Sequence, residues 1–444
     1  MIGRPMKEQI NTVAIFLIIS LFFASPAFSN GFGAYEQGAK SNGMGDAFTG
    51  LADDPTAICY NPAGIVQLQG TQLSVGYSVP VITGSFKSNG TSGMPGDNRG
   101  DFTDLNTTVF FIPNFYITRQ IDNQLFIGFG EYTEFGSPFE WPDSSVGRFA
   151  PGGKLGEMET ETLSPVVAYK ATDRFSVALG GKVQLLDIDL RNKVFVAPGV
   201  DEVSAKVTGD DASVGWNASM LYKVLDDLNI GFNYRSKVRY SLDDMHVNFS
   251  PEVPSINVPG TGTVPVGLLN TKASMDLIFP QYASLGLAWN RGPLTVTFDT
   301  YWWDWSQDKE LDLKYKNPVA GASALVVPMD WKNTVSWAIG TEYRTNFFGK
   351  DISLRGGFLY DTCPVPSKTV DPIGYQGDNL LYCVGLGTKL GPVYLDSFFS
   401  YNYTKNRNWN DAAGSAPNPG GGRVTGEFED YQTYIFGNNL TYKF

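Results

Sequence analysis

Histidine and cysteine, the side chains most used for acid–base catalysis and metal binding, are scarce in this chain. Its 444 residues include one histidine, His246, and three cysteines. A hydrolase nucleophile needs a neighbouring base, usually histidine, and no Gly-x-Ser-x-Gly turn is present. No histidine or cysteine pair has zinc-ligand spacing, and no Gly-x-x-x-x-Gly-Lys-Ser/Thr phosphate loop occurs. The sequence therefore predicts neither an enzyme nor a bound metal or cofactor.

Charged residues, and basic ones above all, are also few. They make up 18% of the chain, against a usual value of about 25%. Lysine and arginine number 33 against 45 aspartates and glutamates, which gives a net charge of −12. An acidic chain without a basic run is a poor nucleic-acid binder, so no nucleic-acid partner is expected.

Long apolar runs are absent after the first residues of the chain. Val13 to Ala24, "VAIFLIISLFFA", follows Arg4 and Lys7 and is shorter than the ~20 residues that a membrane helix needs. Small residues in Ala27-Phe28-Ser29 suit a cleavage before Asn30. We predict that residues 1–29 are a signal peptide, with an uncleaved N-terminal anchor as the alternative.

Hydrophobicity alternates with a period of two along most of the chain. In "FSVALGGKVQL", Phe175 to Leu185, the apolar side chains share one face and the small or polar ones share the other. This pattern is typical of a half-buried strand in a soluble sheet and of a strand in a membrane barrel. We predict fourteen strands, near residues 70–83, 107–119, 123–136, 157–171, 174–190, 209–223, 228–246, 269–289, 293–313, 328–345, 350–363, 378–389, 392–406 and 429–444.

The connections between these strands separate the two alternatives. Short connections such as "KATDR" around Thr172 and "KLGP" around Gly391 alternate strictly with seven long ones. A soluble sandwich has no reason to follow this rule, whereas an outer-membrane barrel has short periplasmic turns and long outer loops. We therefore predict an all-β, 14-stranded antiparallel transmembrane β-barrel, with both termini in the periplasm. Aromatic residues in "TYWWDW", Tyr301 to Trp305, and at Tyr442 and Phe444 would form its interfacial girdle.

Four stretches resemble the FadL-type family of long-chain fatty acid and hydrocarbon transporters of the bacterial outer membrane (OmpP1/FadL/TodX). They are "NGFGAYEQGAKSNGMGDAFTGLADDPTAICYNPAGI", "WDWSQDKELDL", "LRGGFLYDTCPVP" and "YIFGNNLTYKF", and they occur in the order of the family. The resemblance runs from residue 31 to residue 444. It implies a fourteen-stranded barrel whose N-terminal hatch fills the lumen, which agrees with the strand count.

The resemblance implies that residues 30–69 are this hatch and residues 70–444 the barrel. A barrel of this width holds a water-filled lumen unless something fills it. Asn61-Pro62 would make a firm corner, followed by Ala63, because proline fixes φ and cannot donate. A flexible periplasmic leader is the alternative.

The family is thought to release its cargo sideways through a kink in the third strand. Here Gly128 and Gly130 lie in that strand, where glycine weakens pairing; packing against the hatch is the alternative. Asp361 resembles a family aspartate that faces the lumen near the hatch.

Three residues are candidate ligand contacts by the same resemblance. Phe32 would enter the pocket near the mature N-terminus, and Arg191 and Lys314 would bind a carboxylate by charge-assisted hydrogen bonds. Asp312 stands where the family has its lysine, and the strand alternation turns Arg191 outward. Both departures make neutral hydrocarbons plausible cargo.

Cys363 and Cys383 fall on the inner face of one hairpin and could form a cross-strand disulfide, with Cys59 as a competing partner.

The resemblance implies passive uptake of hydrophobic molecules, either long-chain fatty acids or related hydrocarbons, in contact with outer-membrane lipid and lipopolysaccharide. A narrow, plugged barrel suggests a monomer. A channel for neutral aromatic or alkane hydrocarbons and a general diffusion porin are the alternatives.

Overall fold

The computed structural model describes residues 31–92, 100–136, 139–197, 200–258, 262–372, 377–410 and 423–444. The predicted signal peptide, residues 1–29, lies outside the described residues.

Fourteen long strands follow one another around a ring, and four of them are interrupted by short breaks. They are β1 (Thr71–Ser92), β2 (Ile112–Gln120), β3 (Leu125–Tyr132), β4 (Leu155–Lys170), β5 (Phe175–Val194), β6 (Val203–Leu225), β7 (Leu228–Arg235 and Val238–Ser250), β8 (Thr271–Phe279 and Tyr282–Arg291), β9 (Leu294–Trp303 and Glu310–Val319), β10 (Ala322–Pro328 and Thr334–Phe347), β11 (Lys350–Asp361), β12 (Asn379–Leu390), β13 (Val393–Thr404) and β14 (Arg423–Lys443). Short strands Phe102–Asp104, Thr108–Val109, Phe139–Glu140 and Arg407–Asn410 extend the wall, and Val253–Val258 pairs with Gly262–Leu268 as a hairpin between β7 and β8.

Each strand pairs antiparallel with its neighbours in sequence, and β1 pairs with β14 to close the ring. The closing register sets Leu73 opposite Tyr442 and Val79 opposite Phe436, while β1 also pairs with β2. Closure pairs the first strand with the last, so neither of them is left as an edge strand in lipid. The predicted fold of fourteen antiparallel strands is confirmed.

The alternation of side chains sorts the wall into an inner and an outer face. In β5, Leu179 and Leu185 are exposed while Lys182 and Gln184 are buried. Leu179 is 67% exposed and Val214, on β6, is 72% exposed. Such an outward apolar surface is typical of strands that contact lipid tails.

The connection between β9 and β10 differs from the sequence prediction. A long loop was expected there, but a tight turn at Ala320 and Gly321 joins the two strands. Both residues have positive φ, 51° and 83°, as the tight hairpin turns favoured by strand twist require. The predicted strict alternation of long and short connections is therefore wrong at this hairpin. Its irregular residues, 304–309 and 329–333, lie away from the turn and interrupt the two strands.

The aromatic cluster of β9 also differs from the prediction. Tyr301, Trp303 and Trp305 are buried, with 1%, 5% and 1% exposure, because the odd-numbered residues of this strand point inward. They pack inside the barrel rather than in an interfacial girdle. Tyr442 and Phe444 are exposed, as expected.

Residues 31–69, here called the N-terminal segment, lie inside the ring of strands. They contain helices α1 (Ala39–Gly43) and α2 (Ala57–Tyr60) and the 3₁₀ helix Pro62–Gln67. The backbone N–H of Ala39 donates to the side chain of Asn439 on β14 (2.8 Å), and the backbone N–H of Thr49 donates to the side chain of Asp299 on β9 (2.7 Å). Because these strands stand on different sides of the barrel, the segment crosses the lumen. Among the described residues, no helix has the length and hydropathy to cross a membrane.

Candidate functional site: a cavity that opens through the barrel wall

Asn61 fixes the sharp corner that the Asn-Pro-Ala sequence predicts. Its side-chain oxygen accepts from the backbone N–H of Ala63 (3.2 Å), and its amide donates to the carbonyls of Thr49 (2.8 Å) and Met220 (3.1 Å). Pro62 opens the 3₁₀ helix, where a missing N–H costs nothing. The corner thus joins two parts of the N-terminal segment to β6.

The barrel wall forms hydrogen bonds with both the backbone N–H and the carbonyl of Ala63. Its N–H also donates to the Ser219 hydroxyl of β6 (2.9 Å), and its carbonyl accepts from the Ser176 hydroxyl of β5 (2.9 Å). All three Asn-Pro-Ala residues are fully buried. This part of the segment is therefore an anchor rather than a moving part.

Gly128 and Gly130 make room for the N-terminal segment. A Cβ added at Gly128 would lie 2.8 Å from Cδ1 of Ile58, and one at Gly130 would lie 2.9 Å from Cγ2 of the same residue. Both glycines are fully paired, with β2 on one side and β4 on the other. The contacts with Ile58 therefore agree with the alternative, packing against the N-terminal segment, and the pairing with β2 ends further along the strand, after Glu131.

The wall opens between β2 and β3, above the last pair of their ladder. Pairing between them ends at Phe115 and Glu131, whereas β3 stays paired with β4 up to Tyr132 and Thr162. Beyond this point, residues 133–136 contact β4 through the bridge from Gly136 to Glu159 and through hydrogen bonds between Phe135 and Thr160. The side that faces β2 lacks ladder bonds to that strand in the described residues.

The leading end of the N-terminal segment pairs with this unzipped stretch from inside. Gly33 forms an antiparallel bridge with Phe135. The N–H of Ala34 donates to the carbonyl of Glu134 (2.9 Å), and the N–H of Gly136 donates to the carbonyl of Phe32 (3.0 Å). The first described residues of the chain thus act as a short substitute strand beside the opening.

Phe32, predicted as a ligand contact, lies in an aromatic cluster. Its ring centroid is 5.2 Å from that of Trp331 and 6.5 Å from that of Trp305. Its neighbours Gly31 and Gly33 line the cavity described below. A shift of Phe32 would therefore alter the cavity wall.

A buried ionic cluster holds the start of the unzipped stretch. The Glu134 carboxylate contacts the ammonium of Lys182 on β5 (2.6 Å) and the guanidinium of Arg235 on β7 (3.4 Å). Arg235 also donates to the carbonyl oxygen of Cys59 in the N-terminal segment. The cluster ties three parts of the wall and the segment together. Sequence reasoning missed it, although the inward position of Lys182 was a signal.

A cavity of about 430 Å³ connects the lumen to the outer surface at the opening. On the lumen side it is lined by inward-facing residues, among them Tyr35, Leu359, Asp361, Leu381, Asn402 and Ile435. Outward-facing residues of β3 to β5 line its other end, namely Glu131, Glu159, Glu161, Leu185 and Asp187, with Phe111 just before β2. Because both faces of the wall line one cavity, the cavity passes through the wall.

Asp361 is buried on the inner side of the wall. Its carboxylate accepts from the Tyr35 hydroxyl (3.0 Å) and from the Ser336 hydroxyl (2.6 Å). This contact joins the end of β11 to the N-terminal segment at the inner end of the cavity.

Arg191 and Lys314 do not come together, and neither lines the cavity. Arg191 of β5 is 45% exposed and is paired with Asp189 (2.7 Å). Lys314 of β9 is 62% exposed and lies 3.5 Å from Asp312. The predicted carboxylate site on these two residues is therefore wrong. Both side chains lie on the outer face and form ion pairs with aspartates of their own strands.

The predicted disulfide between Cys363 and Cys383 is also wrong. No disulfide joins the three cysteines, all of which are buried. The β11–β12 register pairs Gly357 with Cys383 and Asp361 with Asn379, so Cys363 lies about 20 Å along the ladder from Cys383 at ~3.3 Å per residue. A disulfide requires Cα atoms within about 7 Å. The two residues share a face but not a height.

The acidity of the opening was not predicted. Glu157, Glu159 and Glu161 alternate along β4 and so share its outer face, which the sequence pattern "EMETE" could have indicated. Within the described ranges, no group of three or more histidine, cysteine, aspartate or glutamate residues has metal-binding geometry.

Comparisons with known proteins agree with this architecture. A model of the family described as "Outer membrane protein transport protein (OMPP1/FadL/TodX)" matches residues 20–444. The chain is 25% identical to a long-chain fatty acid transport protein of Escherichia coli O6:H1, over 99% of this chain and 100% of the relative.

Solved structures show the same fold. A Pseudomonas aeruginosa FadL homologue is 22% identical with a TM-score of 0.76, covering 94% of this chain and 100% of that one. The Pseudomonas putida toluene transporter TodX is 14% identical with a TM-score of 0.66, covering 93% and 99%. Because the family model matches nearly the whole length of the chain, the chain belongs to the OMPP1/FadL/TodX family of outer-membrane transport proteins.

Proposed function

We propose that this protein takes up hydrophobic molecules passively across the outer membrane and releases them sideways through the opening between β2 and β3. The observation that carries the proposal is the cavity lined by both faces of the wall. An apolar molecule that follows this route leaves the lumen between strands and enters the lipid without crossing the periplasmic end of the barrel.

In this proposal the N-terminal segment is the hatch. Its corner at Asn61 is fixed to β6, while residues 32–34 hold residues 134–136 by the few backbone bonds described above. Breaking those bonds would move the leading end without unfolding the anchored part. We therefore infer a hatch that shifts locally rather than one that leaves the barrel.

The cargo belongs to one of two classes that the relatives' names suggest. The Escherichia coli relative is named for long-chain fatty acids, and the Pseudomonas putida structure is named for toluene. We propose long-chain fatty acids or related hydrocarbons as the range for this chain, with both termini periplasmic and a monomer surrounded by lipid and lipopolysaccharide. Catalysis has no part in this mechanism.

The route can be tested by filling the cavity. Ala34 lines the cavity, so Ala34→Trp should slow entry of the apolar dye N-phenylnaphthylamine into cells that express the protein. Ala212→Trp is the matched control, because Ala212 is exposed on β6. Equal dye entry with both variants would contradict a route through this cavity.

The rival function, general diffusion, predicts a different electrical behaviour. An open porin passes ions steadily across a planar bilayer, whereas a barrel filled by residues 31–69 should stay almost silent. Steady conductance by the unmodified protein would favour the porin.

A further inference from the structure

We propose that the cavity selects its cargo by head group: it favours apolar molecules whose polar end is an uncharged or cationic hydrogen-bond donor and rejects carboxylates. This inference rests on the proposed function, because it concerns the same cavity and the same route. Of the two cargo classes proposed above, it retains the hydrocarbons and excludes ionised fatty acids.

The charges of the cavity all have one sign. Its carboxylate-bearing residues are Glu36, Glu131, Glu159, Glu161, Asp187 and Asp361. Among the described residues that line it, none is lysine, arginine or histidine. A bound carboxylate would lie among like charges in a space partly removed from water, where electrostatic repulsion is weakly screened.

The inner end of the cavity offers acceptors for hydrogen bonds. The side-chain oxygen of Asn402 is buried, with the residue 9% exposed, and has no hydrogen-bond partner in the described structure. Asp361 and Glu36 line the same space. A buried acceptor without a partner costs free energy, and a ligand hydroxyl or ammonium would supply the missing donor. A carboxylate has no proton to donate.

The outer end has the same preference. Cargo that leaves between β2 and β3 passes Glu131, Glu159, Glu161 and Asp187. Asp189, two residues beyond Asp187, is neutralised by Arg191 (2.7 Å) and Lys206 (2.9 Å), but these cations do not line the cavity. The two basic residues nearest the unzipped stretch, Lys182 and Arg235, are engaged by Glu134. The exit therefore repels an anion along its length.

A matched series of ligands tests the proposal. Outer membranes that contain the full protein are incubated with an equimolar mixture of dodecanoate, dodecanol and dodecylamine, and the molecules that copurify are quantified by mass spectrometry. Binding to the Ala34→Trp variant gives the background. We expect dodecanoate to be bound at least about tenfold less than dodecanol, a difference of about 1.4 kcal/mol.

Two variants identify the cause. Glu36→Gln removes one lining charge and should raise the bound share of dodecanoate relative to dodecylamine. Glu310→Gln is the control, because Glu310 is exposed on β9 outside the cavity, and it should leave the shares unchanged. Asn402→Leu removes the unpartnered acceptor and should lower dodecanol binding several-fold.

The outcomes separate this inference from the proposed function. If dodecanoate binds as well as dodecanol, the head-group inference is overturned while uptake of hydrophobic molecules stands. If no member of the series binds above the Ala34→Trp background, the proposed function itself fails.

Discussion

Asn61→Ala should loosen the N-terminal segment while leaving the barrel intact. The amide of Asn61 makes three hydrogen bonds, to Ala63, Thr49 and Met220. At a net value of about 1 kcal/mol for each buried bond, the change costs about 3 kcal/mol. The wall loses only one of these three contacts, so the cost falls on the segment.

This loss predicts faster local opening of the segment. A cost of about 3 kcal/mol corresponds to roughly a hundredfold larger open population. Hydrogen exchange measured by mass spectrometry should therefore accelerate by about that factor for amides of α2 and the 3₁₀ helix. Exchange in the strands far from the corner, such as β12, should not change.

A matched control separates this effect from the loss of any asparagine. Asn346 is exposed beside the β10–β11 turn, where its amide donates to Asp351 (3.2 Å), and Asn346→Ala should leave exchange of the segment unchanged. If Asn61→Ala also leaves it unchanged within a factor of about three, the corner does not anchor the segment.

Three further predictions follow from the packing and charges. Gly128→Val should strain the contact with Ile58, which a Cβ would approach to 2.8 Å, by about 1–3 kcal/mol. Proteolysis of the segment should then increase, and failure of Ile58→Ala to reduce this increase would refute the cause. Glu134→Gln leaves the buried Lys182 and Arg235 charges without their shared carboxylate, so the denaturation midpoint should fall by the equivalent of about 3–5 kcal/mol. Adding Lys182→Met should recover part of this loss, and an unchanged midpoint in the single variant would contradict this account. Burial raises the pKa of the Glu36 carboxyl, beside Asp361, to about 7, so this carboxyl is neutral below that pH and charged above it. Dodecylamine binding should therefore strengthen as pH rises through about 7, while dodecanol binding stays constant. Parallel changes in the binding of both molecules would count against this role of Glu36.

The position of Asp361 and the outward side chain of Arg191 could be predicted from the sequence because both depend only on which face of a strand a residue occupies. The residues that form the opening could not. Glu134 and Phe135 sit in a predicted strand, yet they leave β2 and pair with residues 33 and 34 instead. That exchange depends on two distant segments meeting, which no local pattern records.

The sequence by itself determined the number of strands, their antiparallel order and the face on which each side chain lies. The period of two within each strand fixes the face, while the count of alternating segments and the connections between them give the number and the order. The tertiary structure alone decided the heights at which strands meet. Cys363 and Cys383 share a face but lie on different rungs, and the β2–β3 ladder stops at Phe115 and Glu131. Height depends on the register between strands, which is set by pairing around the whole ring and by the segment packed inside it.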